Sequence, residues 1–144
     1  MQLVRDYVQN FFTKYQNKIE EAYAGISFEI LLNHFMIFSK KKEHEYISFQ
    51  DNIFFDEILQ GTPLEYIIGE KYFFRSPFYV NSDVLIPRNE TEILVEDAIS
   101  YVEKKYHANF RIAEIGVGSF ALGLSVLIDL KSPVDFWGGD ISSA

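Results

Sequence analysis

The chain has 144 residues, no cysteine, 48% hydrophobic and 17% aromatic content, and a formal net charge of −8. That is one ordinary domain's worth of chain, able to bury a core, and lack of cysteine excludes a disulfide scaffold or a Cys-ligated zinc. The acidic balance argues against direct nucleic-acid binding, which needs clustered Lys and Arg; the only basic run, Lys40-Lys41-Lys42, meets Glu43 and Glu45 at once and reads as a solvated loop.

From Leu3 to Tyr23, apolar residues recur at helical spacing (Val4, Val8, Phe11, Tyr15, Ile19), which predicts one long amphipathic helix ended by Gly25. Arg5 and Asp6 interrupt these residues before the apolar segment of a signal peptide can form. Ser27 stands where an N-cap belongs, and Phe28, Leu31, Leu32, Phe35 and Phe38 predict a second helix. Ser48 or Asp51 caps a third, with Phe54, Phe55, Ile58 and Leu59 as its apolar face and Gly61 as a left-handed stop. Thr62-Pro63-Leu64-Glu65 has the form of a capping box with proline at the first helical position, predicting a short fourth helix that ends at Gly69. None is apolar all round, so the four are expected to bundle around a Phe-rich core.

The period then changes. Tyr72-Phe73-Phe74, Phe78-Tyr79-Val80 and Val84-Leu85-Ile86 are short aromatic or β-branched runs separated by turn residues, which reads as a small hairpin. Leu94, Val95, Ala98, Ile99 and Val102 predict a helix with an acidic first turn, and a loop from Tyr106 to Asn109 leads to a strand from Phe110 to Ile115. A helix from about Ser119 to Leu130 and a strand from Val134 to Asp140 complete a β-α-β unit, the last residues through Ala144 reading as a buried strand that stops. No apolar run approaches the ~20 residues of a membrane span, so a soluble, cytoplasmic protein with no membrane contact is expected.

The most informative constellation is Glu114-Ile115-Gly116-Val117-Gly118 at the carboxyl end of one strand, with Asp140 at the end of the next. In an open α/β sheet, ligands sit beyond these strand ends. Glycines admit a close backbone approach, and an acidic residue ~20 positions on holds ribose hydroxyls. A dinucleotide or S-adenosyl-L-methionine fits this pattern. The dinucleotide needs a third glycine for its pyrophosphate, and Phe120 stands near that point. His34, His44 and His107 show no metal spacing and are read as structural or solvent-facing, so no metal site is expected. Ser119 has no His-Asp pair in evidence. The acidic pairs Glu90 with Glu92 and Glu96 with Asp97 read as dipole complement and solvation.

Gly61-Thr62-Pro63-Leu64-Glu65-Tyr66-Ile67-Ile68-Gly69, an aromatic hairpin, Leu85-Ile86-Pro87-Arg88-Asn89-Glu90-Thr91-Glu92, and Glu114-Ile115-Gly116-Val117-Gly118-Ser119 follow one another in an order that resembles the HemK/PrmC protein-glutamine N5-methyltransferases. Those enzymes methylate the glutamine of the Gly-Gly-Gln motif of peptide-chain release factors. The resemblance implies an α/β protein with an N-terminal all-α bundle: a helical release-factor recognition domain over residues 1–70, a β-hairpin linker over 71–87, and over 88–144 the start of a Rossmann-like sheet binding S-adenosyl-L-methionine. It places Glu114, Gly116, Gly118 and Asp140 at the cofactor, and Leu85, Arg88 and Thr91 beside the substrate pocket. By its own chemistry, Arg88 next to a proline-stiffened turn suits either a carboxylate anchor or a tie between that turn and the domain.

Two departures accompany the resemblance. Phe120 occupies the position of the family's third glycine, where a bulky side chain is expected to crowd the cofactor or loosen helix-strand packing. The Asn-Pro-Pro-Tyr motif that holds the target glutamine is not in this sequence. The chain is therefore read as a truncated N-terminal portion with no catalytic residue of its own and no turnover. A helical protein-binding module with a non-catalytic α/β remnant is the alternative, and a dinucleotide-dependent enzyme the weaker one. Self-association through the incomplete sheet is a further expectation.

Overall fold

A computed structural model describes residues 2–105, 110–131 and 133–142. The expected loop from Tyr106 to Asn109, with His107, and the last two residues lie outside that range. The chain divides into two compact units, Met1–Ile68 and Gly69–Ala144.

In the first unit the expected long helix is two helices, α1 (Val4–Lys14) and α2 (Gln16–Ala22). The break is at Tyr15, whose φ of −112° and ψ of 19° lie near the sparsely used bridge region. Hydrogen bonds persist on both sides, Tyr15 N–H donating to Phe11 and Ile19 N–H to Tyr15. Tyr15 stays packed on the core through this break, its ring 4.9 Å from that of Phe11. The orphan N–H groups that open α1 are satisfied from elsewhere: Val4 donates to the Glu45 carbonyl at 2.8 Å and Arg5 to that of Glu43 at 3.0 Å.

Helix α3 (Phe28–Ser39) starts as expected, with Ser27 Oγ accepting from Ile30 N–H at 3.3 Å. A 3₁₀ turn, Phe49–Asp51, leads into α4 (Asn52–Gln60). Asp51 does not cap α4 with its side chain; its Oδ2 instead accepts from Ser48 N–H (2.6 Å) and Ser48 Oγ (2.8 Å) and pairs with Lys41. Lys41 therefore departs from the solvated-loop reading of its neighbours. Gly61, at φ +81°, ends α4 in a Schellman arrangement, Gly61 N–H donating to Ile58 and Thr62 N–H to Glu57. The Thr62 hydroxyl donates to the Glu57 carboxylate at 2.6 Å, and α5 (Leu64–Ile68) follows. The Tyr23 hydroxyl donates to the Thr62 carbonyl at 2.5 Å. Burial, with the nearby Glu57 carboxylate, pushes this phenol up to about 12, so it remains a donor.

The core between these helices is aromatic. Phe35 is fully buried, its ring centroid 5.0 Å from Phe55 and 5.3 Å from Phe54, with Phe11, Leu31, Leu32 and Ile58 completing the cluster.

In the second unit β1 (Glu70–Phe73) and β2 (Ser76–Tyr79) pair antiparallel, with Glu70 opposite Tyr79 and Phe73 opposite Ser76. The two-residue turn puts Phe74 at φ +55°, a conformation usually left to Gly, Asn or Asp; its N–H donates to Glu92 Oε1 at 2.9 Å. Val84-Leu85-Ile86, read with the other two runs as part of the small hairpin, forms no strand. A 3₁₀ turn, Asn89–Thr91, opens α6 (Glu92–Lys104). Strands β3 (Arg111–Ile115) and β4 (Asp135–Gly139) flank α7 (Ala121–Asp129) and pair in parallel, Arg111 opposite Asp135 and Ile115 opposite Gly139. The described fold is α/β.

Phe73 and Phe78 of the hairpin join Val95, Ala121 and Val126 in one core, with Ile112 of β3 packed against it. The hairpin thus packs as part of the second unit. Strand β4 is not buried as its composition suggests: Trp137 is 55% exposed, and Ile115, opposite Gly139 at the end of β3, is 95% exposed. Alternation explains this, because Ile112, Glu114 and Phe136 face the helical side and the residues between them face away.

Candidate functional site

The turn that follows β3 is built from backbone. Gly116 and Gly118 adopt φ of +76° and +50°, and a Cβ at either would meet nothing within 4 Å, so conformation rather than crowding requires glycine there. Gly116 N–H and Val117 N–H donate to the Gly139 carbonyl at 2.7 and 3.3 Å, and Gly118 N–H donates to Asp140 Oδ2 at 2.8 Å. Asp140 Oδ1 accepts from Ser142 N–H at 2.9 Å. These backbone donors, Ser142 first, hold the Asp140 carboxyl below its ordinary range, so it is an anion at neutral pH.

Glu114 points the other way, under the first turn of α7. Burial pushes its carboxyl above the ordinary glutamate range, with the Gly123 N–H opposing, and Oε2 is buried without a hydrogen bond. A Cβ on Gly123 would stand 2.3 Å from that oxygen, so only glycine lets α7 lie this close to Glu114.

One cavity of about 410 Å³ gathers most of the expected site. Glu114, Gly116 and Gly118 line it together with Leu85, Arg88 and Thr91. Asp140 does not line it and reaches it through the Gly118 N–H. Sequence reasoning missed Phe73 and Leu122 in its wall, because each looked like an ordinary core residue at its own periodicity. Among the described residues the Arg88 side chain is exposed and has no hydrogen bond or ion pair, which leaves its guanidinium available to an anion. Ser119 lines the cavity as well.

Phe120, at φ 60° and ψ 20°, precedes α7 in the left-handed conformation that costs an ordinary residue ~1–2 kcal/mol. Its ring does not line the cavity. It packs beneath α7 on Phe136, 5.2 Å between centroids.

His34 Nδ1 lies 2.7 Å from the Ile30 carbonyl, to which only a donor can bond, and His44 is exposed. Among the described residues no group of three or more His, Asp or Glu is placed to hold a metal, and no helix is long and apolar enough to cross a membrane. Glu92, read as dipole complement, also holds the hairpin turn.

The residues present fit an adenosyl amino-acid ligand. Asp140 has an accepting lone pair left on each oxygen after its backbone bonds, Glu114 Oε2 lacks a donor, and Arg88 lacks an anion.

No family model matches the chain. It is 38% identical over 98 residues to the release factor glutamine methyltransferase of Haemophilus influenzae, covering 61% of this chain and 34% of that protein. The same-named protein of Bacillus anthracis is 34% identical over 80 residues, 55% of this chain and 28% of the relative. That of Fusobacterium nucleatum is 46% identical over 70 residues, 49% of this chain and 19% of the relative. The chain thus spans about a third or less of the length of these proteins. About half of this chain is similar in sequence to the release factor glutamine methyltransferases, the HemK/PrmC family that its motifs resemble.

Proposed function

We propose that this chain carries the donor side of an S-adenosyl-L-methionine-dependent methyltransferase that modifies the Gly-Gly-Gln glutamine of peptide-chain release factors in the cytoplasm. The observation that carries this reading is the meeting of Leu85, Arg88 and Thr91 with the glycine turn in one cavity, two segments far apart in sequence. The names of the relatives support the reaction. In this reading β3, α7 and β4 begin a Rossmann-like sheet, residues 71–87 link it to the helical unit, and the helical unit of residues 1–70 recognises the release factor.

When bound, S-adenosyl-L-methionine supplies a methyl group on a positively charged sulfur. Asp140 would accept hydrogen bonds from the ribose hydroxyls, Glu114 would accept from the ammonium end, and Arg88 would pair with the carboxylate. Phe73 and Leu122 keep water from that side of the cavity. Orienting the acceptor amide is assigned to Asn-Pro-Pro-Tyr, absent from these 144 residues, which by themselves are therefore expected to give no turnover.

Calorimetry with S-adenosylhomocysteine tests the site: binding is expected, and Arg88→Ala is expected to weaken it about tenfold through loss of a charge-assisted pair. Tighter binding of a nicotinamide dinucleotide would sink the reading in favour of a dehydrogenase-type site. Binding of a release factor without the cofactor analogue would favour a recognition module. Incubation with radiolabelled donor and a release factor should leave the glutamine unmodified, and robust labelling would overturn the absence of turnover.

A further inference from the structure

We propose that Phe120 is a positioning residue of the glycine turn, an assignment that rests on reading that turn as the S-adenosyl-L-methionine site. The turn is tied to the end of β4 by the bonds from Gly116, Val117 and Gly118, and closed on itself by Phe120 N–H donating to the Val117 carbonyl at 2.7 Å. The Phe120 ring extends from the turn to Phe136 of β4.

Two glycines make room for that ring. A Cβ on Gly123 of α7 would stand 2.7 Å from Phe120 Cε2, and a Cβ on Gly138 of β4 would stand 3.3 Å from the same atom. The ring shares the space left by Gly123 of the helix with Glu114 Oε2 and Phe136, and that left by Gly138 of the strand with Val117 Cγ1, and Phe136 packs against it. A phenylalanine held at φ 60° persists only where its surroundings over-determine it, and this seat between helix and strand supplies that constraint. Displacement of β4 must move the ring, and the ring moves the residue that closes the turn. Phe120 thus sets where Gly118 and the Asp140 carboxylate stand relative to each other, without lining the cavity itself.

Amide hydrogen exchange of the 144-residue chain, with and without S-adenosylhomocysteine, tests the assignment. In Phe120→Ala the amides of Gly116, Val117 and Gly118 are expected to exchange about tenfold faster, while those in the middle of α6 keep their wild-type rates. Affinity for S-adenosylhomocysteine should fall about tenfold in the same variant and return to within about threefold in Phe120→Leu, which keeps an apolar prop. Phe120→Gly removes both ring and backbone constraint, so affinity equal to or above wild type in that variant overturns the proposal. Unchanged exchange at the turn in Phe120→Ala also overturns it. Should Phe120→Ala not fold, Phe120→Gly carries the exchange test as well, because glycine adopts φ 60° without strain: faster exchange at the turn supports the assignment and unchanged exchange sinks it. A wild-type chain that fails to bind S-adenosylhomocysteine removes the cofactor reading alone, and the exchange rates still decide whether Phe120 positions the turn.

Discussion

Phe35→Ala is expected to lower the stability of the helical unit by about 4 kcal/mol, read as the midpoint of denaturant unfolding followed by far-ultraviolet circular dichroism. Phe35 is fully buried and in ring contact with Phe54 and Phe55, so truncation removes both its own burial and the partners' contacts. The neighbours that could fill the hole, Leu31 and Leu32 on the same helix and Ile58 on α4, are themselves buried and cannot all shift inward without breaking their own packing. A loss below about 1 kcal/mol would mean that the aromatic cluster repacks freely, against the close packing described above.

Asp51→Ala is the second large effect, expected at about 3 kcal/mol because it leaves Lys41 without its buried partner and Ser48 N–H without its acceptor. Burial alone pushes the Asp51 carboxyl up, but Lys41 and the Ser48 N–H and hydroxyl outweigh it and hold the group below its ordinary range. The folded state therefore releases this proton more readily than the unfolded chain, whose aspartate titrates near ~3.9. The associated stability is complete above that value and is lost as pH falls through the lower folded one. Unfolding midpoints measured between about pH 5 and pH 2.5 should drop less steeply in Asp51→Asn than in wild type. Parallel slopes in the two proteins would show that the Asp51 cluster carries no such linkage.

Much of this was legible from residues alone, and the misses share a cause. Ser27 and Gly61 announce helix ends through local chemistry that operates on a few neighbouring atoms, and both stand where their residue types demand. The glycine turn was legible for the same reason. The break at Tyr15 was not, since helical spacing and core contact both continue through it while its backbone leaves the helical region. Strand β4 misled through composition: Trp137 has the residue type of a buried strand, but what covers a strand is decided by other parts of the chain. Lys41 with Asp51, and Glu92 with Phe74, are side-chain partnerships between segments ten or more residues apart. Nothing in local pattern distinguishes such a charge from a solvated one. Phe120 was recognised as a departure, but its destination beneath α7 depended on Gly123 and Gly138, two glycines no local turn required.

The bond from Phe74 N–H to Glu92 also has an entropic meaning. It fastens the two ends of the stretch from the hairpin turn to the start of α6, and Phe73 and Phe78 anchor the hairpin side in the core. The stretch is thereby a closed loop in the folded protein, and the freedom lost in bringing its ends together has already been surrendered before any ligand arrives. Leu85, Arg88 and Thr91 ride on that loop. A ligand entering the cavity meets side chains whose backbone is already ordered, so more of each contact it makes is left over as affinity.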